Sequence, residues 1–574
     1  MPRNLSTRLR WLVAAAVIPL GVSAALLPAQ GSTNAPPGAA AAPATPKRVM
    51  FIVLDQLRPE FIDAFDMQNV KALMAGGATF DNAYLGHMAS ETVVSHNVMT
   101  SGMLPKHMGW ADEWFRDTDG VLGTPDTMYV SGSMSQPQFD SLVADKGYPK
   151  LADYLHAKYP GKIVASFGQK NYAMYAMSTG ADIRVTFGGR SFDCDGDAVA
   201  DNTWRGPVGV NVPTYITEAT VAPTCPADSH FYVDADSNLN YGTLTTSPAW
   251  NYPLQGNRDI SGPDADHPGG DVWTTDAALA VMDHEDWSGL LLTMGGIDKS
   301  GHMWGGLNDV APYPAGAEDP TSHMANAAHV ADEQVGRIVD KLEADGLLDE
   351  TLVVLTTDHA QLTGDNFYGV DGVNRGNLNW YYGADADETY LSPSPEIQKL
   401  ILGLGGTGFT PATDGNMRVS MQDSAIRTWL DDTSTKAKRQ AADVMSTLGG
   451  VRASYIRNAG RYVLRWQAPR SQWSDSEWAW YRKHAQEIVN TEAAPYGPDV
   501  IGLLADNTSY GAKGDHGGAQ ESVQRIPIVF YGAGVKAGSR PSGAIRSVDI
   551  LPTILRDLRI PKTHWMDGKS YYLP

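Results

Sequence analysis

Four apolar runs recur along the chain, and each gives way to polar residues at its C-terminal end. They are RVMFIVLDQ from Arg48, GLLLTMGGID from Gly289, TLVVLTTDHA from Thr351 and RIPIVFYGAG from Arg525. Apolar residues at consecutive positions leave no polar face, so runs of this length suit strands covered on both sides. Ahead of the third run, Ala331, Val335, Ile338, Val339 and Leu342 fall at helical spacing, and ADGLLDE closes that helix and leads into the strand. A helix feeding a buried strand is half of a βαβ unit. The fold this implies is α/β, a mostly parallel central sheet flanked by helices on both faces. Such sheets bind ligands just beyond the carboxyl ends of their strands, and Asp55, Asp298, Asp358 and His359 fall there.

Two long stretches interrupt the pattern, about 186–275 and about 365–505. They are rich in Gly, Asp, Asn, Trp and Tyr with weak periodicity, and are expected as insertions capping the sheet. The N-terminus places Arg3, Arg8 and Arg10 before an apolar run from Trp11 to Leu27, the pattern of an export signal over residues 1–29. An Ala/Pro-rich linker over 30–47 then leads to a catalytic domain over 48–574. The expected location is extracellular or periplasmic, with no stable membrane insertion once the signal is removed.

Losing the signal removes three arginines and no acids, which takes the formal charge from -21 to -24. Nucleic-acid polymers are poor partners for such a chain, because binding them relies on phosphate neutralisation by Lys and Arg. The two cysteines, Cys194 and Cys225, fit one disulfide in an exported protein, or two free thiols.

The acids and histidines at the strand ends suggest chemistry when taken together. Asp298 and His302 are four apart, Asp358 and His359 adjacent, and Asp55 and His516 complete a set of mixed carboxylate and imidazole donors of the kind that suits zinc. Any one such pair alone is more often a cap or a surface hydrogen bond, and His87, His156 and His484 read as structural. The order of the motifs is more specific: strand then Asp, Thr in a turn, strand then Asp-x-x-x-His, strand then Asp-His, and a late His in the Gly-rich loop GDHGG.

This combination resembles the alkaline phosphatase superfamily, in its branch of nucleotide pyrophosphatases/phosphodiesterases and threonine-nucleophile alkaline phosphatases. The resemblance runs over most of 48–570, including the closing segment AIRSVDILPTILRDLRIPKTHWMDGKSY. It implies a hydrolase of small phosphate esters with two zinc or similar divalent ions. Asp298, His302 and His516 would hold one ion, and Asp55, Asp358, His359 and Thr92 would surround the other. The segment Thr92-Val93-Val94-Ser95-His96 followed by TSGMLP matches the family's nucleophile turn, which puts Thr92 at the nucleophile with Ser90 and Ser95 as neighbouring rivals. His96 matches the motif without being a carried-over ligand. A hydroxyl is a weak nucleophile at neutral pH unless a base or metal activates it. The plainer role for Thr92 is a helix N-cap, and the two are compatible because a helix N-terminus also favours phosphate.

Three features depart from the family pattern. The family's phosphate-binding Asn falls on Glu113 here, with Asp112 beside it. An ionised carboxylate there repels phosphate unless it is protonated, points away, or meets a further cation. The family's Lys-x-Arg clamp for monoesters is reduced to Lys170 with Tyr172 in the Arg position, leaving monoester against diester preference open. The run DCDGDAVADN offers alternating oxygen donors at Asp193, Asp195 and Asp197, resembling a calcium loop, or a plain acidic turn. Trp380, Tyr381, Tyr382 and Tyr390 suit the core of a lid, or a platform that stacks a base. Rival functions are a catalytically silent phosphate-binding protein on the same fold and a phospho-group transferase.

Overall fold

The first apolar run lies in the middle of the main sheet. The computed structural model describes residues 45–192, 202–216, 270–304, 306–307, 312–313, 321–362, 366–367, 419–420, 424–509 and 514–573. The expected signal peptide and most of the linker lie outside them. So do Cys194, Cys225, the run at Asp193, Asp195 and Asp197, and the aromatic group at Trp380, Tyr381, Tyr382 and Tyr390.

The main sheet has eight strands: β1 Arg48–Leu54, β2 Ala78–Thr79, β3 Ile163–Gly168, β4 Ile183–Phe192, β5 Asn202–Val210, β6 Trp287–Met294, β7 Thr351–Thr356 and β8 Ile528–Gly532. Their order is β2-β8-β7-β1-β6-β3-β4-β5. The five central strands are parallel, β8 beside them and β5 at the far edge run antiparallel to them, and β2 pairs antiparallel with β8 and so runs with the central strands. RIPIVFYGAG thus supplies an antiparallel strand beside the parallel core.

Successive side chains on a strand point to opposite faces, and here both faces are covered. Met50, Ile52 and Leu54 enter one core with Leu290, Leu292, Val353 and Leu355. Val49, Phe51 and Val53 enter the other with Leu291, Leu352 and Val354. The helix His323–Ala344 covers the first face through Ala331, Val335, Ile338 and Leu342, with Val339 partly buried. The second face is covered by Leu151–Lys158 and Ile550–Asp557. Each buried Leu or Ile is worth about 2–5 kcal/mol against truncation to Ala, so the register of β1 is fixed by packing on both sides.

The long stretches contribute more order than their weak periodicity implies. Residues from 186 continue β4 and, through β5, extend the sheet edge, while the helix Gly270–His284 returns the chain to the core. The described part of the second stretch forms an antiparallel five-stranded sheet in the order Val419–Ser420, Ala425–Thr428, Val500–Leu504, Val451–Asn458, Arg461–Gln467. Its helix Thr435–Met445 buries only Ala441, Ala442 and Met445. Among the described residues no helix is long and apolar enough to cross a membrane.

Candidate active site

Adjacent parallel strands lie about 4.8 Å apart, so residues following β7, β1, β6 and β3 must converge along one line at the carboxyl edge. Asp358 and His359 follow β7, Asp55 follows β1, Asp298 lies in the helix Gly296–Trp304 after β6, and Lys170 follows β3. All five are almost fully buried. Gln56, directly after Asp55, takes a left-handed φ of 66°, unusual for a residue with a side chain. That bend lets its amide donate to Asp358 Oδ1 at 3.2 Å and its side chain donate to the Gly514 carbonyl at 2.8 Å.

Gly301 and Gly514 permit the close approach of the Asp298 helix to the His516 loop. A Cβ on Gly301 would fall 2.0 Å from both the Gln56 and the Gln361 amide groups, and one on Gly514, at φ +64°, 2.2 Å from the Gly301 carbonyl. The His516 loop is also tied elsewhere: Gly517 and Gly518 donate to the carbonyls of Ser90 and Met88, and Ser424 donates to the His516 carbonyl.

Two groups of side chains have donor atoms close enough to share an ion: Asp55, Asp358 and His359, and Asp298, His359 and His516. His359 belongs to both, and its ring stacks on His516 with centroids 3.7 Å apart. Asp298 thus meets His359 as well as His516, a looser partition than two separate ligand sets. His302 lies on the Asp298 helix, but its side chain is outside the described residues.

The Nδ1–H of His359 donates to the Ala360 carbonyl at 3.2 Å, which leaves the Nε2 lone pair turned inward. That Nε2 lies 3.1 Å from Thr92 Oγ1, 3.4 Å from Asp55 Oδ1 and 3.3 Å from Asp358 Oδ2. Asp55 Oδ1 and Asp358 Oδ2 are buried acceptors without a hydrogen bond among the described residues, the condition a divalent cation would satisfy. The donor set therefore fits metal ions.

Burial, then the charges of Asp298 and Asp358, pushes the Asp55 carboxyl well above its ordinary range. Burial also raises Asp358, but His359, His96 and Lys170 outweigh it and hold that group low. Lys170 has its Nζ 2.7 Å from Asp55 Oδ2 and also hydrogen-bonded to Asp298 Oδ2. Burial alone would depress its pKa, yet the Asp298 and Asp55 charges raise it well above the usual value. Lys170 is thus an interior cation and not a solvated surface residue, being 3% exposed.

Thr92 is the first residue of the helix Thr92–Ser101, and the N-cap is Glu91, so the Thr N-cap role is corrected. The rival hydroxyls have other partners: Ser90 Oγ donates to the Gly518 carbonyl at 3.0 Å and Ser95 Oγ faces His87 at 3.5 Å. His96 lies between the Thr92 carbonyl and Thr293 Oγ1, at 2.7 and 2.9 Å.

Glu113 is half-buried, and its backbone amide donates to Glu91 Oε2 at 3.0 Å. Asp112 is fully buried against Arg427, which the sequence reading missed because Arg427 lies in the second long stretch with no motif around it.

The type I phosphodiesterase / nucleotide pyrophosphatase model matches residues 49–387. Alkaline phosphatase PhoK of a Sphingomonas species is 22% identical over 90% of this chain and 89% of its own. Alkaline phosphatase PhoD of Zymomonas mobilis is 24% identical over 85% and 81%. A crystal structure of a variant of alkaline phosphatase PafA superposes with a TM-score of 0.59 at 13% identity, covering 94% of this chain and 99% of that one, so the fold is alkaline-phosphatase-like.

Proposed function

The chain belongs to the type I phosphodiesterase / nucleotide pyrophosphatase family and is a phosphoric ester hydrolase; we propose that it is an exported enzyme acting through Thr92 as a covalent nucleophile beside two divalent cations, zinc by the donor set. The observation that carries this reading is the approach of Thr92 Oγ1 to His359 Nε2, at 3.1 Å, among the carboxylates of Asp55 and Asp358. Asp55, Asp358 and His359 would hold one ion with Thr92 beside it, and Asp298, His302 and His516 the other. Bound there, the ions would supply Lewis acidity toward a hydroxyl and charge neutralisation for a phosphoryl group.

Thr92 Oγ bonds to phosphorus as the ester oxygen departs with the bonding pair, and the proton that Thr92 gives up ends on the departing alcohol. Water then attacks the phosphothreonine, returning Thr92 and releasing phosphate. The Thr92 helix N-terminus favours the anion. Lys170, buried among the carboxylates, adds a cation that benefits a monoester dianion more than a diester monoanion, which favours small phosphomonoesters as substrates.

The test is kcat/KM of zinc-loaded mature protein on nitrophenyl phosphate and bis-nitrophenyl phosphate, for wild type and Thr92→Ala. The expected result is monoester preference, a loss of at least about a thousandfold in the variant, and phosphate label on wild-type protein only. Near-normal turnover by the variant moves the nucleophile elsewhere, and diester preference rejects the role given to Lys170.

A further inference from the structure

The residue preceding Thr92 is an acid, and the two that follow Ala111, at the position where the family carries its phosphate-binding Asn, are acids too. Glu91 and Asp112 are both wholly buried, as is Glu492. An enzyme for anions would gain nothing from such charge beside its nucleophile unless something opposed it. The opposing group is Arg427, also wholly buried, in the strand Ala425–Thr428 of the second sheet. Its Nη2 lies 2.5 Å from Glu91 Oε1, its Nε contacts Asp112 Oδ2, and Glu492 Oε1 stands 3.9 Å from the same Nε.

The other oxygen of Glu91 accepts the Glu113 amide at 3.0 Å, and Glu91 makes no side-chain cap on its own helix. Both carboxylate oxygens are thus engaged away from the helix N-terminus that begins with Thr92. Arg427 is itself held by its strand, which pairs antiparallel with Val500–Leu504, placing Arg427 opposite Ile501. The neighbouring Ser424 is bonded to the His516 carbonyl. One short strand therefore touches both the nucleophile segment and the His516 loop.

We propose that Arg427 is a positioning residue for phosphate-ester binding: it neutralises Glu91 and Asp112 behind Thr92 and holds the Glu91 carboxylate off the helix end that receives the phosphoryl group. This rests on the reading of Thr92 as nucleophile. Its guanidinium serves two carboxylates at once, a geometry that a planar fork provides and a point charge provides less well. The second sheet thereby tunes the affinity of the main-sheet site for an anion without contacting substrate.

The test uses full-length, zinc-loaded mature protein with inorganic phosphate as probe, read as inhibition of nitrophenyl phosphate turnover and as the phosphate-induced rise in melting temperature. Arg427→Met should raise the phosphate inhibition constant and KM by about tenfold or more with a smaller change in kcat. Adding Glu91→Gln to that variant should bring both back to within about threefold of wild type, and Arg427→Lys should fall between wild type and Arg427→Met. A purely structural arginine predicts no rescue by Glu91→Gln, so a double variant no better than the single, or an unchanged inhibition constant in Arg427→Met, overturns the proposal. Should Arg427→Met fail to fold, Glu91→Gln alone carries the test: phosphate binding tightens, and unchanged or weaker binding overturns it. Wild-type protein that neither turns over the ester nor responds to phosphate rejects the Thr92 reading itself, a different result from any of these.

Discussion

His516 shows what one residue contributes here. Its ring lies on His359, and its Nε2 stands 3.9 Å from Asp298 Oδ1, at the edge of the donor cluster that Asp55 and Asp358 complete on the far side of His359. Removing it strips one donor from one group and leaves Asp55, Asp358 and His359 intact. His516→Ala is expected to lower bound zinc, measured by elemental analysis after dialysis, from about two to about one per chain. An unchanged stoichiometry takes His516 out of the ligand set. Residues of this kind were legible because chemistry-bearing side chains at strand ends have nowhere else to point, so Asp55, Asp298, Asp358 and His359 followed from the runs that precede them. Arg427 was not legible: a buried ion pair between segments far apart in sequence imposes no period on either. The left-handed turn at Gln56 was also hidden, since glutamine gives no signal for a positive φ.

At the scale of elements, the last helix makes a case for the physics of helix ends. Ile550–Asp557 buries Ile550, Leu551, Ile554 and Leu555, a spacing plain in the sequence, but it finishes on an acid. A carboxylate at a helix C-terminus meets the negative end of the dipole. Asp557 is also half-buried, its Oδ2 lacks a hydrogen bond among the described residues, and burial raises its pKa to about 6. A folded pKa above the unfolded one means the native state binds the extra proton. The stabilisation this gives is complete below the unfolded value near 4 and is lost as pH rises through about 6. Above that pH the folded protein carries a charge it disfavours. Asp557→Asn is therefore expected to raise unfolding free energy by about 2 kcal/mol at pH 8, less than the full shift implies because the carboxyl is partly solvated, and by nothing measurable at pH 4. Denaturant titrations at the two pH values check this, and a gain of equal size at both would assign it to packing.

For the whole molecule, the parallel centre of the sheet could be read from the sequence, because strands buried on both faces must be apolar throughout. The second sheet could not, because its buried strands carry polar residues such as Arg427, Thr428 and Ser454 that break any apolar run, and its helix Thr435–Met445 is mostly solvated. The two parts meet at a site with an unusual concentration of like charge for a chain already at -21. Asp55, Asp298 and Asp358 lie together in the interior, with the Lys170 ammonium between the first two. Without metal, the balance of charge among these carboxylates rests on Lys170; with two divalent ions present, the ions carry most of that compensation. Removing one partner of a buried ion pair costs about 3–5 kcal/mol because the other charge is left uncompensated. Ligand that binds only the folded state adds stability in proportion to the logarithm of its concentration over Kd. Chelation should therefore lower the melting temperature of wild-type protein, and Lys170→Met should lower it further by several degrees in chelator but by about one degree or less in excess zinc. Equal losses in the two conditions would mean that Lys170 supports the fold independently of the carboxylates, and a loss larger in zinc would mean that it assists metal loading instead of standing in for it.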